Sequence, residues 1–507
     1  MEKSVFMLVH ELLLRGKSDH TAIITREHRI TYQILQQKVA DCRDYLYGKG
    51  VKTGDKVAIV SHNNDNYIYA YFALVSLGAV VVAINYQLQP PETAYIVSDS
   101  NCVCILTENP IIFDKGRREE AFAADCPQYP ITKCGEAVTQ IHAPAKNDRI
   151  SEDDVCVIIY TSGTTGKPKG AMLTHKNLTS NAAMFEKVLH VDEADNVLCV
   201  LPMYHCFAWT CCILNGFYGG SCVTVMESFT PKETIDVINR EKITVLYVVP
   251  SICSLLTKLA AAEELASVRL VVIGGTVLPV SVANAFSHKF GLVIAEGYGL
   301  SEASPVVAVN PPGKEKIGSI GIPLPGIAIR IIQSDNTEVE PGQPGELLVR
   351  GDNVMPGYWN LPEATKNTIV DGWLHTGDIV RQDEDGYIYI VDRIKDMIIS
   401  MGENIYPREI EELLYAYPGI DEAAVIGVPD RLRGQAGCCF FSVNKMQEVS
   451  VPLLKKYLRK NLALYKVPRE FHKLDELPKT STGKIVKRKL VELYKNKGMF
   501  TANDDGF

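Results

Sequence analysis

Glycine and hydroxyl residues are concentrated in one short segment, YTSGTTGKPKG at 160–170, which directly follows the apolar run VCVII. Closely spaced glycines and hydroxyls gather backbone N–H groups and side-chain donors around one point, and such a concavity binds anions. The segment is not a Walker loop, in which four residues separate the glycines and Ser or Thr follows the lysine. Here Gly163 and Gly166 are three positions apart, and Pro168 follows Lys167. We therefore predict a phosphate-binding loop of a different class.

The segment at 160–170 closely resembles the signature of the adenylate-forming superfamily, which contains acyl-CoA synthetases, peptide-synthetase adenylation domains and firefly luciferase. Further blocks of that pattern follow in the same order over essentially the whole chain. They are LPMYH at 201–205, GG at 274–275, EGYGLSE at 296–302, GELLVRG at 345–351, HTGD at 375–378, VDRIKD at 391–396, GENIYPREIE at 402–411 and PKTSTGK at 478–484. The resemblance implies an acyl-CoA synthetase of the fatty acid–CoA ligase branch. Such an enzyme activates a carboxylic acid with ATP and Mg²⁺ as an acyl-adenylate and then transfers the acyl group to coenzyme A.

The resemblance assigns ATP or AMP binding to sixteen residues of these blocks. They are Thr161, Ser162, Gly163, Thr164, Thr165, Gly166, Lys167, Gly274, Gly275, Glu296, Gly297, Tyr298, Gly299, Ser301, Asp378 and Arg393. Physically, Tyr298 offers an aromatic face to adenine, and Ser301, where the family usually has threonine, offers a hydroxyl to phosphate. Asp378 can accept hydrogen bonds from the ribose hydroxyls, and Arg393 resembles the arginine that assists it. The predicted metal ligands are Glu302, a hard oxygen donor, and Thr161.

Three residues are predicted to be catalytic: Lys484, Glu302 and His205. Attack of a carboxylate on the α-phosphate brings two anions together, and a cation between them offsets their repulsion and stabilises the transition state. Lys484 fits this role because the small and hydroxyl residues before it indicate a loop that can enter a cleft. His205 lies where the family has an aromatic or histidine block between the nucleotide and acyl pockets.

The second half-reaction requires a different arrangement, because the lysine must leave before a thiol approaches. The resemblance implies that the terminal domain rotates between an adenylation pose and a thioester-forming pose. Lys395 occupies the hinge position, where a charged residue can stay solvated in both poses. Gly402 matches the glycine that lines the pantetheine tunnel, although Met401 stands where the family often has a second glycine.

The substrate is predicted from the apolar run at 207–214, in which Trp209 matches a tryptophan that gates the acyl tunnel of some long-chain enzymes. No nearby charged residue favours an amino acid or a dicarboxylate. We expect a medium-chain or long-chain fatty acid, with a short-chain or aryl acid as alternatives.

Other functions remain open at this stage. A peptide-synthetase-like enzyme would load a separate carrier protein instead of coenzyme A. A fatty acyl-AMP ligase commonly has an insertion before the lid, and the spacing from Asp378 to Arg393 shows none. A non-catalytic nucleotide-binding regulator would be expected to lack Lys484 or Glu302. Nothing specific favours luciferase-like oxidation.

The elements that must position these residues alternate in type. Up to about residue 390, β-branched runs such as KVAIV, CVTVM, TVLYVV and RLVVIGG alternate with helical stretches, which is typical of layered α/β structure. After about residue 310, hairpin-like pieces indicate a β-rich subdomain. A helix over 407–416 and a strand over 422–428 begin a small α+β unit. We predict an N-terminal AMP-binding domain over 1–392 and a mobile C-terminal lid over 393–507.

The overall composition agrees with a folded enzyme. The chain has 507 residues, 46% hydrophobic and 22% charged, and a net charge of −8, which gives no support to nucleic acid as a partner. Its 14 cysteines lack metal-ligand or disulfide spacing and predict a reducing cytoplasmic location. No run is long enough to span a membrane. Val5, Leu8, Leu12 and Leu13 fall at helical spacing and predict an amphipathic first helix. A homodimer remains open.

Overall fold

The computed structural model describes most of the chain. The described ranges are 7–137, 142–143, 149–161, 167–276, 278–401, 403–443, 449–480 and 484–496. Contacts between residues divide the chain into two compact units. The larger comprises Met1–Gly275, Ala285–Ile329 and Leu348–His375, and the smaller comprises Thr276–Asn284, Arg330–Leu347 and Thr376–Phe507.

Strands and helices alternate along the described residues. The strands are β1 (Thr21–Ile24), β2 (Arg29–Thr31), β3 (Lys56–Val60), β4 (Val80–Ile84), β5 (Cys102–Thr107), β6 (Gln128–Pro130), β7 (Val155–Thr161), β8 (Lys169–Thr174), β9 (Asn196–Cys199), β10 (Cys222–Val225), β11 (Val245–Val248), β12 (Leu270–Ile273), β13 (Ile294–Gly299), β14 (Val306–Val309), β15 (Ile322–Pro323), β16 (Ala328–Ile332), β17 (Gly345–Arg350), β18 (Gly357–Tyr358), β19 (Ile369–Val370), β20 (Trp373–Gln382), β21 (Ile388–Arg393), β22 (Ile398–Ser400), β23 (Glu403–Ile405), β24 (Ile420–Asp430), β25 (Gly434–Val443) and β26 (Glu470–Lys473). The α-helices are α1 (Tyr32–Gly48), α2 (Asp65–Leu77), α3 (Pro90–Asp99), α4 (Ala121–Asp125), α5 (His175–Leu189), α6 (Asn215–Gly219), α7 (Pro231–Arg240), α8 (Pro250–Leu259), α9 (Val280–Phe290), α10 (Pro362–Thr368), α11 (Pro407–Tyr415), α12 (Val451–Asn461) and α13 (Lys487–Asn496). Short 3-10 turns cover Val9–Leu14, Ile131–Gly135, Ala262–Leu265, Ser301–Ala303 and Leu464–Lys466, and a π-helical segment covers Phe207–Leu214.

Two large sheets form the framework of the larger unit. One has the order β18-β8-β7-β4-β3-β5-β6, with parallel pairing from β7 through β4 and β3 to β5. The other has the order β15-β14-β13-β12-β11-β9-β10-β1-β2, with parallel pairing from β13 to β1. Every side chain of β4, β11 and β12 is buried, as expected for strands that are covered on both faces.

Helix α2 lies inside this unit. Eleven of its thirteen residues are buried, which places it within the core and not on the surface. The side chain of Asn64 caps its first turn by accepting the N–H of Tyr67, and Gly78 ends it with a φ of 74°. The helix therefore fixes Tyr67 and Tyr71 against Trp209.

The smaller unit is built on the long antiparallel pair β24–β25. β26 pairs parallel with β25 over 438–441, and β22, which pairs with β23, meets β25 at Gly434. Helices α11 and α12 pack on one face of this sheet and α13 packs on the other. Within the same unit, β20 from Thr376 onward pairs antiparallel with β21.

The structure confirms the predicted fold class. The predicted apolar runs are the strands β3, β7, β10, β11 and β12. The chain has a large part with layered α/β structure and a smaller α+β part, as predicted. The boundary at 392/393 and the mobility of the lid stay predictions. Cysteines are free throughout, and all but Cys222 are buried. In the part of the chain that the structure describes, no helix is both long enough and apolar enough to cross a membrane.

In the described residues the predicted amphipathic first helix is a short 3-10 helix, Val9–Leu14, which buries Val9, Leu12 and Leu13. Val5, on which the prediction also rested, lies outside the described residues. The N–H of Val9 donates to Nδ1 of His175 at 3.1 Å, so the segment is fixed by contacts with α5 instead of by helical propagation.

Candidate functional site

The predicted phosphate loop connects the antiparallel strands β7 and β8. Thr161 ends β7 and pairs with Lys169 of β8, so the loop closes a hairpin instead of opening a helix. Ser162, Gly163, Thr164, Thr165 and Gly166 lie outside the described residues. Beyond the loop, the ammonium of Lys167 lies 5.1 Å from the ring centre of Tyr95, and that of Lys169 lies 5.1 Å from the ring centre of Tyr358. The two lysines that flank the loop are thus held by cation–π contacts.

Glu302 is held by a tyrosine that the sequence analysis did not identify. Oη of Tyr358 donates to Oε1 of Glu302 at 2.7 Å. Burial, the charge of Glu302 and this hydrogen bond raise the pKa of Tyr358, so the phenol stays a neutral donor. Tyr358 lies on β18, where it pairs with Ala171 of β8. Strand β18 therefore contacts both Glu302, through Tyr358, and the β7–β8 hairpin, in which Thr161 precedes the phosphate loop.

Tyr358 is a positioning residue for the predicted metal ligand. Replacement by phenylalanine should remove one hydrogen bond to a charged group, so we expect the Mg²⁺ concentration for half-maximal pyrophosphate exchange to rise roughly tenfold. Tyr69→Phe is the matched control, because Tyr69 is also buried and also donates to a carboxylate, Asp65, at 3.0 Å. Equal Mg²⁺ dependence in both variants would contradict the assignment.

The glycine pair and the EGYGLSE block lie side by side at the ends of β12 and β13. A Cβ on Gly274 would lie 3.2 Å from Phe207 and 3.6 Å from the carbonyl oxygen of Gly297. Gly275 has a φ of 84°, which a larger residue rarely adopts. A Cβ on Gly299 would collide with the carbonyl of Pro305. These glycines allow neighbouring backbone segments to approach each other closely. Tyr298, in the same block, is half-buried, and Glu296 is buried.

His205 and Ser301 are brought close through Cys206. Sγ of Cys206 lies 3.3 Å from Oγ of Ser301, and burial raises the pKa of Cys206 to about 11, so it is a neutral thiol. The N–H of Phe207 donates to Nδ1 of His205 at 3.2 Å. In the neutral ring the proton therefore resides on Nε2. The LPMYH and EGYGLSE blocks thus meet, as a site linking nucleotide and acyl pockets requires.

A small cavity begins at the same place. Its lining residues include Tyr71, Ile159, Tyr204, Cys206 and Trp209. None of the described residues that line it is charged. The indole of Trp209 is 3% exposed, and its ring centre lies 4.0 Å from that of Tyr71. Trp209 is therefore both a wall of the cavity and part of the core.

The remaining predicted residues gather in the smaller unit. Asp378 is buried and pairs across β20 and β21 with Arg393, whose Nε lies 2.8 Å from its Oδ1. Burial, followed by the charge of Arg393, lowers the pKa of Lys484 to about 8. Burial and the charge of Arg393 also lower the pKa of Lys395. Three cations thus share one region with Asp378 and Asp396. An incoming polyanion would relieve their mutual repulsion.

The backbone around Lys484 is also fixed. Oγ1 of Thr480 accepts the N–H of Lys484 at 3.1 Å, and the N–H of Thr480 donates to the carbonyl of Lys484 at 2.8 Å. A second lysine, Lys487, was not predicted. Burial opposes its charge, but Glu411 at 2.9 Å and Asp392 more than offset that effect and raise its pKa. Gly402 lies outside the described residues, so the tunnel stays a prediction.

Comparisons with known proteins agree with this arrangement. Residues 13–359 match the family described as AMP-binding enzyme, and residues 409–484 match the AMP-binding enzyme C-terminal domain. The chain is 37% identical to a feruloyl-CoA synthase of Amycolatopsis sp, over 90% of this chain and 92% of that protein. It is 34% identical to a long-chain-fatty-acid–CoA ligase of Bacillus subtilis, over 94% and 92%. The structure of an O-succinylbenzoate coenzyme A synthetase of Bacillus subtilis, in complex with ATP and a magnesium ion, superposes with a TM-score of 0.85 at 29% identity, over 95% of this chain and 99% of that chain.

Proposed function

The chain belongs to the AMP-binding enzyme family and is an AMP-forming acid–thiol ligase, and on this basis we propose that it activates an apolar monocarboxylic acid, a fatty acid of medium or long chain, for transfer to coenzyme A. The observation that carries the proposal is the uncharged cavity that starts at Cys206, next to Ser301 and His205. A carboxylate at its mouth would lie beside the predicted nucleotide residues while its apolar chain is buried. Burial of each methylene contributes roughly 0.8 kcal/mol.

The reaction has two balanced steps. The carboxylate attacks the α-phosphorus of ATP and pyrophosphate leaves, giving acyl-AMP. The thiolate of coenzyme A then attacks the acyl carbon and AMP leaves. In this proposal the Asp378–Arg393 pair holds the ribose, Lys484 offsets the charge of carboxylate and α-phosphate, and Glu302 with Thr161 holds Mg²⁺, which neutralises phosphate charge when bound.

An aryl acid is the second candidate. Three aromatic side chains, Tyr71, Tyr204 and Trp209, line the cavity and could stack on a ring, and a feruloyl-CoA synthase is 37% identical to this chain.

A screen of pyrophosphate release across short, medium, long and aryl acids tests the proposal, with and without coenzyme A. We expect kcat/KM to rise about threefold to fourfold per added methylene until the cavity is full. Product analysis should give the acyl-CoA. A sharp preference for acetate or for an aryl acid would overturn the fatty-acid assignment, and thioester formation only on a carrier protein would overturn the choice of acceptor.

Trp209→Ala tests whether the cavity is the acyl pocket. Removal of the indole should lengthen the cavity, so the preferred chain should become longer by several carbons. Phe217→Leu is the control, because Phe217 is equally buried in the same aromatic core but does not line the cavity. If both variants lose stability and neither changes the chain-length profile, Trp209 serves the core alone.

A further inference from the structure

Three side chains of different chemistry converge on one face of the sheet in the smaller unit. In the parallel pair of β25 and β26, Cys438 is opposite Glu470 and Phe440 is opposite His472. Because side chains alternate between the faces of a strand, Cys438, Glu470 and His472 share one face. The same face packs against α13. None of these residues belongs to the blocks that the proposed ligase reaction uses.

The donor atoms of these three residues are close enough to share a ligand. Sγ of Cys438, a carboxylate oxygen of Glu470 and a ring nitrogen of His472 all lie within 4.8 Å of one another. Nε2 of His472 is 3.3 Å from Oε2 of Glu470. In a tetrahedral zinc site, bond lengths of about 2.0–2.3 Å place donor atoms roughly 3.3–3.6 Å apart. Glu470 and His472 of β26 already have this separation, and the thiol of Cys438 lies within 4.8 Å of both donors.

A fourth side chain orients the carboxylate. Oη of Tyr494, on α13, donates to Oε1 of Glu470 at 2.9 Å, which leaves Oε2 directed toward His472. Hydrogen bonding of a ligand carboxylate by an outer residue is a usual feature of protein metal sites. The ring of His472 is also fixed, with its centre 5.1 Å from that of Phe440. The donor set is therefore preorganised by two strands and a helix.

We propose that Cys438, Glu470 and His472 form a zinc-binding site with a water molecule as the fourth ligand. Thiolate, imidazole and carboxylate are the donors that Zn²⁺ prefers, and Mg²⁺ does not take sulfur. On binding, the thiol of Cys438 releases its proton to solvent, and the thiolate and carboxylate together balance the charge of the ion. The site would link β25 and β26 to α13, and Lys484 lies in sequence between β26 and α13.

The test measures metal binding to the whole chain in the presence of a non-thiol reductant. Equilibrium dialysis with Zn²⁺ should give one equivalent per chain, and Co²⁺ should give thiolate-to-cobalt charge-transfer absorption with visible bands of tetrahedral coordination. Zn²⁺ should also raise the melting temperature until one equivalent is bound. Cys438→Ser and His472→Gln should each weaken Zn²⁺ binding by more than about 100-fold, since loss even of an outer partner costs 10–100-fold.

Cys439→Ser is the matched control. Cys439 is the adjacent residue on β25 and is equally buried, but it packs in the cluster on the opposite face, with α11 and α12. Its replacement should leave stoichiometric Zn²⁺ binding unchanged. The half-buried His472 provides a second variant if Cys438→Ser fails to fold. The absence of bound Zn²⁺, or equal binding by the wild type and His472→Gln, would overturn the proposal and leave a Glu–His hydrogen bond beside a buried thiol.

Discussion

Replacement of Lys484 by alanine should slow acyl-adenylate formation by roughly 10²–10³-fold while leaving thioester formation from supplied acyl-AMP within about threefold of the wild type. The reason is that Lys484 is proposed to offset the charges of the carboxylate and the α-phosphate, and these two groups meet only in the first step. Lys484 shares its surroundings with Arg393 and Lys395, which disfavour its charge until an anion is bound. The binding of ATP should therefore strengthen its protonation at the stage where the cation is needed.

Single-turnover measurements of the two half-reactions separate these effects. Lys489→Ala is the control, since Lys489 is an exposed lysine on the following helix, α13. A pH profile adds a signature. The pKa of Lys484 in the free protein is about 8, below its usual value, so the cation is present below pH 8 and is lost above it. In the wild type, kcat/KM for adenylation should fall above about pH 8, and the variant should lack that limb. An equal loss in both half-reactions would contradict the assigned role.

Much of the fold could be predicted from the sequence because the signals are local. Short apolar runs, such as those that became β11 and β12, are typical of strands covered on both faces. The order of the motif blocks likewise predicted which segments of the chain carry the site residues. Asp378 and Arg393, fifteen residues apart in sequence, prove to be cross-strand partners joined by an ion pair.

The parts that could not be predicted depend on contacts between distant segments. Tyr358 reaches Glu302 only because β18 joins the edge of the sheet beside β8, and nothing in the local sequence marks that pairing. Trp209 belongs both to the cavity wall and to the core because it packs against Tyr71 of the buried helix α2. The sequence of the π-helical segment gives no sign of this contact. Cys438 and His472 meet through a parallel strand pair that a spacing rule for metal ligands misses.

Replacement of Glu302 by glutamine should lower pyrophosphate exchange at fixed Mg²⁺ by roughly 100-fold, with partial recovery at high Mg²⁺. The amide keeps the shape and can still accept the hydrogen bond from Tyr358, but it lacks the charge that holds a divalent ion. Glu363→Gln, an exposed carboxylate in the first turn of α10, is the control. Exchange that stays unchanged across a Mg²⁺ titration would refute Glu302 as a ligand.

A double-mutant cycle then decides whether Tyr358 acts through Glu302. If Tyr358 only orients the carboxylate, Tyr358→Phe should raise the Mg²⁺ concentration for half-maximal exchange roughly tenfold in the wild type. In Glu302→Gln the same replacement should raise it by less than about threefold, because the carboxylate charge has been removed. Additive effects would mean that the tyrosine acts separately, for example through its contact with Lys169. Thermal unfolding of all four proteins checks that the coupling arises in catalysis and not in stability.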